Sequence, residues 1–207
     1  MIEELLSKRK QIRFFRNDVI PERELIDSLL EKTFNLVPSK QSLMPYHVHI
    51  FGPDKIDEKE KLYYLSGSIH IEDSFKDTHY NTQLKAPYVL VFTQRLAWPN
   101  PFVARKILEG LKYSVCDPAT YKKHKTGPAL EVGMFMMILT TLCMANNIDV
   151  SYTLCLPQDN IKYKEQGLNF TDENIIIGMS LGYEKDSPYI KAIDNTKPNI
   201  EEVLSWS

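Results

Sequence analysis

Apolar residues recur along this chain with two periods, and the switches between them mark out its elements. Ile2, Leu5 and Leu6 stand at helical spacing among charges, so a short amphipathic helix over residues 2–9 is expected to open the fold. Pro21, followed by Glu22 and Glu24, fits a helix start, because proline suits a first turn and acids favour the positive end of the helix dipole. Leu25, Ile26, Leu29 and Leu30 supply the buried stripe of that helix. In residues 46–51, YHVHIF, Tyr46, Val48 and Ile50 alternate with His47 and His49, a period of two that predicts a strand.

Asp54 to Ser66 reads as a further helix closed by Gly67. Tyr88 to Phe92 is apolar throughout, as a strand covered on both faces should be, and is expected to be central. Pro101 begins a helical stretch in which Val103, Ile107 and Leu111 recur every four residues, before a polar segment, 117–127, that reads as surface loop. Residues 129–147 are apolar on nearly every face and predict a core helix enclosed by other elements or by a partner. Val150 to Cys155 and Asn174 to Leu181 predict strands, separated by a polar helix over 158–166 that ends at Gly167. Such mixing favours a sheet with helices on its faces.

The 207 residues, 43% of them hydrophobic, suit one domain spanning 1–207. A formal charge of −2 supplies no basic field for a phosphate backbone, so nucleic acid is not an expected partner. Cys116, Cys143 and Cys155 are odd in number and form no C-x-x-C pair, which fits reduced thiols in a cytoplasmic protein. The N-terminus lacks the apolar run of a signal peptide, and the uncharged stretch 132–148 suits a core helix better than a membrane span.

Several chemistries fall away on motif. Gly178, Met179, Ser180, Leu181 and Gly182 match a nucleophile elbow, but the acid and histidine that should follow are missing, since all five histidines precede residue 125. No glycine-rich dinucleotide or triphosphate loop is present. His47 and His49 share a strand face, yet no third histidine or cysteine lies at ligand spacing, so no metal site is expected. What remains is the run Lys8, Arg9, Lys10, Gln11, Ile12, Arg13, with four cations in six positions at a helix end. Such groups give charge-assisted hydrogen bonds to a phosphate, though a solvated basic face explains the run equally well.

Five segments, in order, resemble the nitroreductase family. Arg9 to Phe15 resembles its R-R-S-x-R-x-F opening, and Ile20, Pro21 and Leu25 its V-P-x-x-x-L step. Pro38, Ser39, Lys40, Gln41, Ser42, Leu43, Met44, Pro45 and Tyr46 resemble its P-S-x-x-N-x-Q-P-W turn. Ala86-Pro87 precedes the buried strand, and Glu131 heads the core helix. Gly167 to Tyr183 and a tail with Lys197, Pro198, Glu201, Glu202, Val203 and Trp206 resemble the family's ending. Gln11, Ser42 and Met44 depart from the family's serine, asparagine and glutamine, and bear on flavin affinity and acceptor.

The resemblance implies an α+β, three-layer α/β/α fold: a central mixed, mostly antiparallel sheet flanked by helices, with a domain-swapped C-terminal tail in a homodimer. It implies FMN as cofactor, NADH or NADPH as reductant, and a small acceptor such as a nitroaromatic, quinone or enone, with no side-chain nucleophile. Arg9, Lys10, Gln11 and Lys197 would hold the phosphate and ribityl chain, and Arg13 would sit near the pyrimidine edge. Pro38, Ser39, Lys40 and Ser42 of the other subunit would border the flavin, Asn81 or Gln83 would reach its polar edge, and Tyr152, Thr153 and Leu154 would lie along its central face. For Tyr152 a plain core aromatic is an equal reading. The aromatics of 63–80 and 98–127 are candidates for acceptor specificity, against ordinary packing. A reductive dehalogenase, a flavin-fragmenting enzyme and a non-catalytic flavin-binding or regulatory dimer stay open on the same scaffold.

Overall fold

The computed structural model describes residues 2–66, 80–157, 160–170, 174–186 and 198–205. Its elements follow the order α1 (Ile2–Ser7), α2 (Arg23–Leu36), β1 (Tyr46–Phe51), α3 (Ile56–Ser66), β2 (Tyr88–Gln94), α4 (Pro101–Leu108), α5 (Thr126–Ala145), β3 (Asp149–Thr153), α6 (Asn160–Glu165), β4 (Asn174–Gly182) and α7 (Ile200–Val203). The sheet order is β1-β2-β4-β3, so the all-apolar β2 does lie inside the sheet. Every pairing among the described strands is antiparallel, with Val48 opposite Phe92, Leu90 opposite Met179 and Tyr152 opposite Met179. The parallel component of the expected mixed sheet does not occur among them.

The alternation along β2 explains the layers. Tyr88, Leu90 and Phe92 face one core together with Ile26 and Leu29 of α2 and Val132, Phe135, Met136 and Leu139 of α5. Val89 and Val91 face the other, with Leu62 and Leu65 of α3 and Tyr163, Leu168 and Phe170 around α6. Each fully buried Leu or Phe contributes roughly 1.5–3 kcal/mol relative to an exposed one. The result is helix, sheet, helix, an α+β arrangement in three layers. Between Phe92 and Thr93 the register shifts, so β2 continues past the apolar run as Thr93 and Gln94, both buried.

α5 begins at Thr126, earlier than the apolar pattern suggests, because Pro128 falls in its first turn, where the missing N–H is no loss. In the single chain it is buried on one side only. Pro128, Glu131, Val132, Phe135, Met136, Leu139, Thr140 and Cys143 are covered, while Leu130 is 65%, Met134 39% and Met137 44% exposed. α5 is also long and apolar enough to cross a membrane by composition alone. At the end of α6, Gly167 takes φ +71, as a helix-closing glycine does, and Leu168 N–H reaches back to Tyr163 O at 3.0 Å. Gly67, expected to close α3, and Lys197 lie outside the described residues.

The elbow-like Gly178 to Gly182 is the second half of β4, with no strand-to-helix turn at the serine. Ser180 is fully buried and its hydroxyl donates to Gln83 O at 2.8 Å, so it is no nucleophile.

Candidate functional site

The cationic run folds as an irregular segment after α1, pinned by one apolar residue inside it and one just after it. Ile12 and Phe15 are buried in the core on the α3 side, at 1% and 6% exposure. With those two inward, Arg9, Lys10 and Arg13 are left exposed. Gln11 is the hinge of the arrangement. Its Nε2 donates to Tyr152 O at 2.6 Å and to Ser151 Oγ at 3.4 Å, and its Oε1 accepts from Tyr152 N–H at 3.4 Å. One side-chain amide thus mimics a neighbouring strand along β3. The Arg9 guanidinium stands 6.0 Å from the centre of the Tyr152 ring, at the limit of cation–π contact. The Tyr152 hydroxyl is hydrogen-bonded to Thr140 Oγ1 of α5.

Lys10 forms an ion pair with Glu184. That hydrogen bond, first, and the Glu184 charge hold the lysine pKa above its ordinary value. Lys8, at the start of the run, pairs with Glu4, so two of the four exposed cations are already partnered.

The segment before β2 closes on the same place. Asn81 donates from Nδ2 to Thr153 Oγ1 and accepts from Gln83 N–H at 3.1 Å, starting the 3-10 turn Thr82–Lys85. Thr82 Oγ1 donates to Arg13 O at 2.7 Å. Gln83, by contrast, is 1% exposed, and its Nε2 donates to Ile12 O at 2.9 Å, so its amide holds the cationic segment from beneath and presents nothing to a ligand. Leu154, next to Thr153, is 73% exposed. Arg9, Gln11, Asn81, Tyr152, Thr153 and Leu154 thus meet at one end of β3, with the Arg13 carbonyl reached through Thr82, while the Lys10 ammonium turns to Glu184 beside Asp149 at the start of the strand; the chain separates Gln11 from Tyr152 by 141 positions.

Pro38, Ser39, Lys40 and Ser42 form a second group elsewhere. Met44 N–H donates to Ser39 Oγ at 2.9 Å and Lys40 N–H to Glu131 Oε1 at 3.1 Å. Gln41, Ser42 and Met44 have φ of 51, 54 and 44, a left-handed backbone that side chains disfavour. Asn100 Nδ2, bonded to Gln41 O, helps hold it. Two buried acceptors here, Glu131 Oε2 and Gln41 Oε1, have no hydrogen-bond partner. Leaving such an atom unmatched costs about 1–3 kcal/mol. The two groups contact α5 nine residues apart, at Glu131 and Thr140. At 1.5 Å per residue that is roughly 13 Å along the helix, so one chain does not bring them together.

Sequence reasoning missed Thr82, Ser151, Thr140 and Glu184. None carries a motif, and each is recruited only by tertiary contact. Asn81 had a local signal, a side-chain cap opening a turn.

As for the FMN that the resemblance implies, the donor set suits its anionic end: Arg9 and Arg13 are exposed cations on one short segment, and Lys10 is a third once Glu184 is displaced. Gln11, bound to the strand, and Gln83, buried, do not belong to that donor set. Among the described residues no group of three His, Cys, Asp or Glu side chains is placed to hold a metal ion.

No protein-family model matches the chain, and no curated protein matches it in sequence. Solved structures do match in fold. A Staphylococcus epidermidis protein assigned as an NAD(P)H:FMN oxidoreductase is 17% identical, with a TM-score of 0.70 over 100% of this chain and 96% of that one. A nitroreductase-like protein from Streptococcus mutans is 17% identical, with a TM-score of 0.69 over 99% and 97%. A protein from Exiguobacterium sibiricum assigned as a nitroreductase, solved in complex with FMN, is 16% identical, with a TM-score of 0.66 over 100% and 97%. At these identities the likeness is one of architecture, and the architecture of this chain is the nitroreductase fold.

Proposed function

We propose that the protein is an FMN-dependent oxidoreductase that passes reducing equivalents from NADH or NADPH to a small acceptor, such as a nitroaromatic, quinone or enone, and works as a cytoplasmic homodimer. The observation that carries this reading is the short segment of exposed cations, Arg9, Lys10 and Arg13, held along β3 by the Gln11 bonds to Tyr152, within a nitroreductase fold. When bound, FMN would supply the ring that takes up and releases hydride; the protein needs no nucleophile for that.

Arg9 and Arg13 would bind negative charge, with Lys197 joining them from the tail. Asn81 and Thr153, bonded to each other, would fix the strand end against which the ring lies. Leu154 would present an apolar surface. The role of Pro38, Ser39, Lys40 and Ser42 at a flavin requires a second subunit, since α5 keeps them apart from Tyr152 in one chain. The uncovered Leu130, Met134 and Met137 supply an apolar face of the kind a second copy would cover.

A second reading, a flavin-binding regulatory dimer without turnover, gains from the engagement of Lys10 by Glu184 and of Gln11 by Tyr152, which removes two donors. The deciding experiment is to purify the protein, release and identify any flavin, and follow nicotinamide oxidation with a panel of acceptors. Turnover supports the enzyme. Bound flavin without turnover supports the regulator, and protein that stays colourless after mixing with FMN rejects both. Replacing Arg9 and Lys197 together by Ala is expected to weaken flavin retention at least tenfold, roughly the worth of one charge-assisted hydrogen bond; equal retention rejects the phosphate assignment.

A further inference from the structure

We propose that the cavity between residues 17–20 and the start of α3 binds a monocarboxylate with a short alkyl chain, its carboxylate on the buried Lys59 and its chain over Ile20 and Ile56. The cavity has a volume of about 370 Å³, within the range of small-molecule sites. Ile20, Pro53, Ile56 and Pro87 give it apolar walls, and Lys59, Lys85 and Glu60 are the charged groups in its lining.

Lys59 is the anchor. It is 8% exposed, and its Nζ donates to Ala86 O at 3.1 Å and to Pro87 O at 2.9 Å. An ammonium carries three N–H groups, and among the described residues no acceptor takes the third and no carboxylate pairs with it. Both carbonyls are neutral, so a buried positive charge is left without a counter-ion, which protein interiors ordinarily avoid. Burial accordingly holds the lysine pKa below its ordinary value, against a smaller opposing pull from Asp54. Pro87 borders the cavity as well as accepting from Nζ, which sets the ammonium at the cavity wall.

The rest of the lining selects the rest of the ligand. Ile20 and Ile56 border the cavity yet are 42% and 66% exposed, and an alkyl chain laid along them takes that surface out of water. Glu60, exposed in the lining, opposes a second negative charge. Lys85, whose Nζ stands 4.0 Å from the centre of the Tyr63 ring, opposes an ammonium. A single carboxylate on an apolar chain meets each of these groups favourably. The cavity shares no residue with the groups at β3 and the 38–42 turn, and the inference does not rest on the oxidoreductase reading.

The test is titration calorimetry of the full-length protein, without nicotinamide, using butanoate, hexanoate and octanoate, with hexanol, hexylamine and the dianion adipate as controls. At least one monocarboxylate should bind saturably with a Kd at or below about 1 mM, and hexanoate about tenfold more tightly than any control, roughly the worth of one charge-assisted hydrogen bond. Lys59→Met keeps an unbranched apolar stem but removes the ammonium, and should weaken binding about tenfold or more. Should Lys59→Met fail to fold, Ile56→Ser, at an exposed position, gives a second readout: it should weaken octanoate by a larger factor than butanoate. No saturable binding, controls as tight as hexanoate, or variants indistinguishable from the parent would each overturn the site. A protein that oxidises nicotinamide yet ignores these probes refutes the cavity alone, and one that binds them without turnover leaves it standing.

Discussion

Tyr163 is fully buried against Phe170, and its hydroxyl has no hydrogen-bond partner. Burial also pushes its pKa upward, which records the same poor solvation of the oxygen. Tyr163→Phe should therefore be neutral to stabilising, by up to about 1 kcal/mol, visible as a raised Tm in thermal unfolding; a clear fall would mean that the oxygen does hold a partner. Residue roles of this kind were the least legible part of the sequence. Gln11 sits in a run of cations and reads as one more phosphate donor, while its bonds to Tyr152 N–H and O depend on a strand 141 positions away. Gln83 misleads in the same way, because nothing local tells a buried amide from a ligand-facing one. Arg9 and Arg13 were legible because a charge on a segment anchored by two apolar residues has nowhere to go but outward.

Among the elements, β4 carries the sharpest constraint. A Cβ at Gly182 would stand 2.8 Å from Pro87 Cδ and 3.0 Å from Phe15 Cδ1, and a proline ring cannot swing aside. Gly182→Ala should destabilise the protein by about 1–3 kcal/mol, measured by denaturant titration, and should loosen the pairing that brings Phe15 beside Glu184. An unchanged midpoint would show that the strand relaxes freely. The glycines that imitate a hydrolase motif are thus there for close packing. Most helices and strands were legible, since α2, β1, β2, α5 and β4 each repeat an apolar pattern over several residues, while the four-residue α7 in the expected tail was not. Their limits were less so: Thr93 and Gln94 extend β2 because Gln94 is satisfied by His124 O and Asn174, which no period reveals. The 3-10 turns, three or four residues long, are too short to show a period at all.

At the level of the molecule, α5 divides the candidate residues. Glu131 holds the 38–42 turn and Thr140 holds Tyr152, so a single chain keeps the two groups of candidate residues apart. Met137→Asp, on the uncovered face of α5, should shift the protein from dimer to monomer in sedimentation and lower flavin retention in parallel. A protein that sediments as a monomer before substitution, yet keeps its flavin, would refute the shared site. The layer order was legible from the alternation of helical and strand periods, but which side of α5 stays open was not, because the helix is apolar all round and its sequence does not distinguish chain from partner.

β3 ends the sheet, and the rim of an antiparallel sheet is where foreign strands attach. By occupying the N–H and carbonyl of Tyr152, Gln11 leaves an incoming peptide no ladder to climb at that point. The same glutamine that holds the cationic segment in place would then also guard solubility, and its loss would be felt first as fibres or precipitate on concentration, before any change in chemistry.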